Sequence, residues 1–388
     1  MQITIENLNI KDKGGNMKIS FTFFLSLILS VGIYAQQVIE NPEEPLNKNA
    51  GRVLHLKEEM RISDEQGGFY FKEPENIKIA PDGSIFVLDE EQFLKFDTQG
   101  KFVKNLFRKG QGPGEFMRIG NYLFDKDEII IRQGRPNKIV RMDMEGNLIR
   151  DFRPEENVGR LIAYFNGRYV MARSSFPKLK KAGGEPEIID VKWNVLFVDE
   201  DGEVEKTDHY FPAKWFAKRI KTAIIANYIV DFFAVQYKRK YLVIHHTQDY
   251  LLKLLDLEKN KIVQTLKRKY KSIKYKPEKT GEVKVKSHTY TLEPPRDYHN
   301  DIQKVFAHKD NLWVLTSTLD RKRGILVDVF NCEAQYIDNF YLPLSENVKL
   351  KDLSRHPMTV YENFLFIVEK DENDIPSIVK YKIMDLVP

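Results

Sequence analysis

The chain has one cysteine in 388 residues, Cys332. No intramolecular disulfide can form, and Cys-x-x-Cys redox or zinc chemistry is excluded. His-Glu-x-x-His and Gly-x-Ser-x-Gly are missing too. Neither a helix-borne zinc hydrolase site nor a nucleophile elbow is therefore written in the sequence. The eight histidines are scattered. The adjacent His245 and His246 would point to opposite faces of a strand, which prevents joint chelation of one ion. His245 is expected to be packed and His246 exposed. An excess of one charge is also lacking. Against 61 Lys and Arg stand 56 Asp and Glu, a net of +5 that gives no reason to expect a nucleic-acid partner.

The apolar run Ile19–Ile33 lies within MKISFTFFLSLILSVGIYAQQ, Met17–Gln37. It is short for a membrane span and has no positive flank on its far side. A lysine at its start and Ala35 before polar sequence mark residues 17–35 as a secretory leader cleaved after Ala35. No cysteine stands at that site, which excludes a lipoprotein. The expected product is exported, periplasmic or extracellular, with no membrane anchor after cleavage. Residues 1–16 carry Glu6 and Asp12 and fit a leader badly. They read as an extension from a mis-assigned start, with translation beginning at Met17. Residues 36–50 read as a linker.

What is present is glycine in one place. RKGQGPGEF, Arg108–Phe116, holds three glycines and a proline. A P-loop needs Gly-Lys-Ser/Thr leading into a helix, and none follows Gly114. A dinucleotide turn needs Gly-x-Gly-x-x-Gly, and Gly110, Gly112 and Gly114 are spaced otherwise. The stretch reads as a structural connector. Its glycines are expected to free the backbone and Pro113 to stiffen the crossing.

The flanking sequence shows what is connected. Before it, Asn76–Ala80, Ser84–Asp89, Gln92–Asp97 and Lys101–Phe107 are short runs rich in β-branched and aromatic residues. Pro-Asp-Gly at 81–83 and Thr-Gln-Gly at 98–100 separate them as turns. In SIFVLD, Ile85 and Val87 share one face. This four-stranded antiparallel unit recurs six times along the chain, and the sixth copy stops after three strands. Radially repeated four-stranded sheets make a β-propeller. The fold class is therefore all-β, a six-bladed β-propeller over residues 51–388. The unassigned GRVLHLKEE, Gly51–Glu59, is expected to supply the outer strand of the last blade and close the ring.

The order GQGPGEF, PDGSIFVLD and FLKFDTQGKF resembles NHL-type propeller repeats. It is similar, more specifically, to a six-bladed propeller family abundant in Bacteroidetes that carries a Gln-Gly-Pro-Gly-Glu-aromatic connector after its first blade. That resemblance implies the fold and an exported location. It implies no agreed activity.

Inserts near 174–192, 211–230 and 267–298 interrupt the repeats. Pro212–Val230 has helical spacing at Trp215, Ile220, Ala223, Ile224 and Tyr228, with proline near its start. It is expected to form a helix over the propeller face between blades three and four. Lys267–Tyr290 is basic and rich in tyrosine and reads as a solvated outer hairpin.

In a propeller the first strand of each blade lines the channel, and the loops entering these strands form one rim. The residues expected there are Asn76, Arg118, Arg160, Asp231, His299, Asn300, Asp301, Arg355 and His356. His299, Asp301, Arg355 and His356 are expected to converge on one cationic mouth. No cofactor is predicted and no metal ligands are assigned, although calcium or another divalent ion in the channel would escape spacing rules. The function expected is that of a non-catalytic monomeric scaffold. It would bind a protein, peptide or glycan at one rim. A channel-site enzyme of metal-dependent lactonase or lyase type, and an envelope sensory or assembly component, are the alternatives.

Overall fold

In the computed structural model the described residues are 37–64, 67–177, 184–220, 223–277, 282–285, 288–345 and 348–384. The leader and the start at Met17 lie outside them.

Alternation of side chains along each strand explains how the sheets stack. In Ile85–Asp89, Ile85 and Val87 pack with residues of the last blade, while Phe86 and Leu88 pack with residues of the second. Both faces of a blade are thus buried, which is why these strands read as nearly continuous apolar runs. Among the described residues there are six hydrophobic clusters, and each joins one pair of neighbouring blades. The cluster of Ile62, Ile77, Ile85, Phe366 and Ile378 joins the last blade to the first and so closes a six-bladed ring.

Blade one is Pro74–Ile79, Ile85–Asp89, Gln92–Phe96 and Phe102–Asn105. Blade two begins at Ile119–Asp125 and ends at Leu148–Phe152, and blade three begins at Arg160–Phe165. Blades four, five and six begin at Phe233–Tyr237, Ile302–His308 and Met358–Tyr361. These six inner strands surround the channel.

One turn marks the repeat. Between the third and fourth strands of blades one, two, three and five, the side-chain Oδ1 of Asp97, Asp143, Asp199 or Asn331 accepts the N–H groups two and four residues on. In blade four, Asp256 does the same two and three residues on. Asx side chains are favoured in turns for this reason. In blade six, whose fourth strand comes from elsewhere, the same turn lies between the second and third strands, where Asp371 Oδ1 accepts the N–H groups of Asn373 and Ile375. Leu56–Ile62 pairs antiparallel with Pro376–Ile383, from Ile62 opposite Ile378 to Leu56 opposite Ile383.

Three expectations need correction. The closing strand starts later than Gly51, and Arg52–Val53 instead adds in parallel to the outer edge of blade five. The linker expected at 36–50 is not free over its described residues, 37–50. Gln37–Asn41 is a fifth, parallel strand on blade four. There the buried Asn41 donates to the carbonyl of Ala334 at 3.0 Å and accepts the N–H of Tyr336 at 2.8 Å, tying blade four to blade five.

The third concerns Pro212–Val230, which is a β-hairpin rather than a helix. Val204–Ile220 runs on past the blade and returns as Ala223–Val230, giving blade three five strands. Phe211, Ala213 and Ala217 are buried while Tyr210, Pro212 and Lys214 are exposed, a period of two that the helical spacing of the larger residues obscured. The insert near 174–192 lengthens the hairpin of Arg168–Ser175 and Glu187–Val198 in the same sheet. Within 267–298, Glu282–Val285 pairs with His288–Thr291 as a separate hairpin.

Candidate functional site

The six inner strands run in the same sense, so the residues entering them gather at one rim. Asp231, His299, Asn300 and Arg355 line one cavity of about 330 Å³ at that rim. Its walls are completed by residues that the inserts deliver. Ala226, Asn227 and Tyr228 come from the outer hairpin of blade three, and Tyr275, Glu293 and Arg296 from the loop before blade five.

The mouth is not simply cationic, as the sequence suggested. Arg296, Lys351 and Arg355 face Asp231, Glu293 and Asp352. Two of these carboxylates already hold donors. Asp231 Oδ1 accepts the indole N–H of Trp193 at 3.0 Å and of Trp215 at 3.4 Å. Glu293 accepts the Tyr275 hydroxyl. Arg296 stacks 4.0 Å from the ring centre of Tyr275, whose edge meets His299 at 4.9 Å. Arg355 is exposed. Its guanidinium lies 4.2 Å from the ring centre of Tyr228 and makes no hydrogen bond or ion pair among the described residues.

Arg160 sits beneath this group. It lies 4.3 Å from the ring centre of Trp193 and donates to the carbonyl of Phe232. Burial lowers its pKa, Asp231 and Tyr228 oppose that shift, and Arg355 adds to it. Arg118 stands on the rim outside the cavity, exposed and 3.6 Å from Glu75.

Two expected members turn elsewhere. Asp301 is 3% exposed and lies at the seam with blade four, where its N–H donates to Gln248. Burial, then nearby Asp249, pushes its carboxyl up to about 6 against hydrogen bonds from Ser272 and Tyr250. His356 donates from Nε2 to the carbonyl of Val368 at 2.9 Å, and burial lowers its pKa to about 4. It lines a different cavity with Glu369 and Lys370. In extended chain, neighbours such as Asn300 and Asp301 face opposite ways. A four-residue polar cluster at one mouth was therefore an over-reading.

Below the mouth the channel encloses about 510 Å³. Asn76 lines it, as expected, together with Lys78, His245 and Lys304, which sequence reasoning did not single out. Their signal was the inward face of the first strands and, for His245, of the neighbouring second strand. His245 stacks on Phe233 at 4.9 Å, and His246, expected to be exposed, is 4% exposed and bonded to the carbonyl of Pro212.

The glycine-rich connector is a folded plug. Phe116 is fully buried between blades one and two. The Glu115 carboxylate turns back under the loop to accept the N–H of Gly112 at 2.9 Å, and a Cβ on Gly110 would lie 1.9 Å from it. Only Gly114 of the three has positive φ, +68°, so Gly110 and Gly112 serve close approach rather than backbone freedom. The buried Lys138 ammonium donates to the carbonyls of Gly112 and Glu115. Pro113 is exposed at the tip. The N–H groups of Gly110, Gly112 and Gly114 already donate to Phe116, Glu115 and Asp151, so none of the three is left to cradle a phosphate.

Among the described residues no group of three His, Cys, Asp or Glu is placed to hold a metal ion, and Cys332 is exposed at a turn. No helix among them is long and apolar enough to cross a membrane.

No curated protein matches the chain. The similar solved structures include an exported-type protein of Bacteroides fragilis. It is 11% identical, with 90% of this chain and 100% of that one covered and a TM-score of 0.49. A DUF4221-family protein of Bacteroides vulgatus is 14% identical, covers 86% of this chain and 99% of its own, and has a TM-score of 0.48. Residues 66–222 match a family model described as a six-bladed β-propeller, the architecture that the six blade interfaces display over residues 37–384.

Proposed function

We propose that this propeller is an exported, non-catalytic binding scaffold that holds an acidic group of a peptide or glycan at the rim from which its inner strands begin. The observation that carries this reading is Arg355. Its planar fork is stacked on Tyr228 and unpaired among the described residues, in a concave site with His299 and Asn300. A guanidinium so held presents its N–H edge in a geometry suited to a carboxylate or sulfate. Convergent polar groups in a cavity of this size are the usual form of a binding site. The export reading rests on the leader at 17–35. It is tested by the N-terminus of the mature protein, which should be Gln36. The scaffold reading is tested by screening acidic peptides and uronate- or sulfate-bearing glycans against the mature chain. Turnover of any bound glycan or peptide would refute the non-catalytic part. Loss of binding on Arg355→Ala, with the fold intact, is the expected result.

A further inference from the structure

The channel below the mouth contains a cation that nothing in its wall offsets. Its wall is largely apolar, built by Ile77, Phe124, Phe233, Val235, Phe306 and Val360. Lys304 lines it but is committed, donating at 2.6 Å to the carbonyl of His356 across the seam to blade six. The Lys78 ammonium has no hydrogen bond and no ion pair among the described residues and lies 5.4 Å from the ring centre of Tyr122. The one carboxylate in the lining, Glu75, stands three positions nearer the rim, roughly 10 Å along an extended strand, and faces Arg118 at 3.6 Å. Burial lowers the Lys78 pKa to about 8, which leaves it mostly charged at neutral pH. A charge among apolar walls calls for a counter-charge.

We infer that the channel is a site for a small organic monoanion, a carboxylate with an aliphatic or aromatic body. The carboxylate meets Lys78, and the body lies against Phe124, Phe233 and Phe306. This ligand is distinct from the acidic peptide or glycan at the mouth. Arg355 lines both cavities, so the two sites are told apart at Lys78, which lines the channel alone.

The probe is 4-phenylbutyrate, titrated calorimetrically into the mature chain beside the uncharged 4-phenylbutanol. The acid should bind, and the alcohol should bind at least tenfold more weakly. Lys78→Met should weaken the acid by about tenfold or more, the ordinary effect of losing a charged hydrogen-bond donor. The same substitution should leave an acidic peptide at the mouth unaffected. A second readout needs no variant. Acetylation of Lys78 by acetic anhydride, followed by peptide mass spectrometry, should fall at least threefold with the acid present, while exposed Lys57 is unchanged. Equal binding of acid and alcohol would overturn the proposal. So would absence of binding at 10 mM, on the order of the weakest measurable affinities, unprotected Lys78, or a folded Lys78→Met protein with undiminished affinity.

Discussion

The guanidinium of Arg355 lies 4.2 Å from the ring centre of Tyr228. These residues belong to blades six and three, which stand opposite one another in the ring. The contact exists because Val204–Ile220 and Ala223–Val230 extend beyond blade three and reach over the mouth. A cation held over an aromatic face is oriented as well as stabilised, by about 0.5–1 kcal/mol at an exposed site. The insert therefore does more than decorate the propeller. It holds the plane of a rim arginine whose guanidinium has neither a hydrogen bond nor an ion pair among the described residues.

Ring closure rests on Leu56–Ile62. Ile62 is fully buried in the cluster that joins the last blade to the first. Ile62→Ala should cost about 2–5 kcal/mol in urea unfolding. Removal of residues 37–62 should leave Pro376–Ile383 as a bare edge and promote aggregation. Unchanged unfolding of the truncated chain would contradict the closure.

The connector should behave as structure alone. Gly114→Val forces a β-branched residue to a φ of +68°, and Gly110→Val places carbon against the Glu115 carboxylate. The first should cost about 1–2 kcal/mol or more, and the second should cost stability as well. Neither should change calorimetric titrations with ATP, which should show no heat in the parent chain. Binding of ATP that disappears in either variant at unchanged stability would show a phosphate site.

The propeller and its six-fold repeat were legible because the strand period and the turns recur in every complete unit, and the need for a closing strand because the sixth unit stops after three, although that strand runs from Leu56 to Ile62 rather than from Gly51 to Glu59. The two parallel additions were not, because Gln37–Asn41 and Arg52–Val53 are too short to carry a period. The hairpin over the mouth was misread because Trp215, Ile220, Ile224 and Tyr228 fall at helical intervals, while the signal of the strand lay in the small buried residues Ala213 and Ala217. At the site, topology brought His299, Asn300, Asp231 and Arg355 together, since each precedes an inner strand. Tyr228, Tyr275 and Arg296 come from inserts, whose paths no repeat dictates.

His245 provides a pH test. Burial, then His246 and Arg160, lowers its pKa from 6.5 to about 3. The folded state therefore resists a proton that the unfolded chain accepts. Its contribution to stability is complete above pH 6.5 and is lost as pH falls toward 3. On the order of 2 kcal/mol should disappear between pH 6.5 and 4.5. His245→Phe should flatten that slope, as read from urea unfolding at the two pH values. An equal loss in the variant would assign the slope to other groups.

The most direct test of the mouth is the ratio of two affinities. Acetylated tetraglutamate and a galacturonate trimer are titrated into the mature protein and into Arg355→Ala, with circular dichroism confirming that both are folded. The arrangement at Arg355 and Tyr228 predicts that at least one probe binds the parent chain and binds the variant about tenfold or more weakly. Equal affinity for the two proteins, or no binding of either probe to the parent chain, would contradict it.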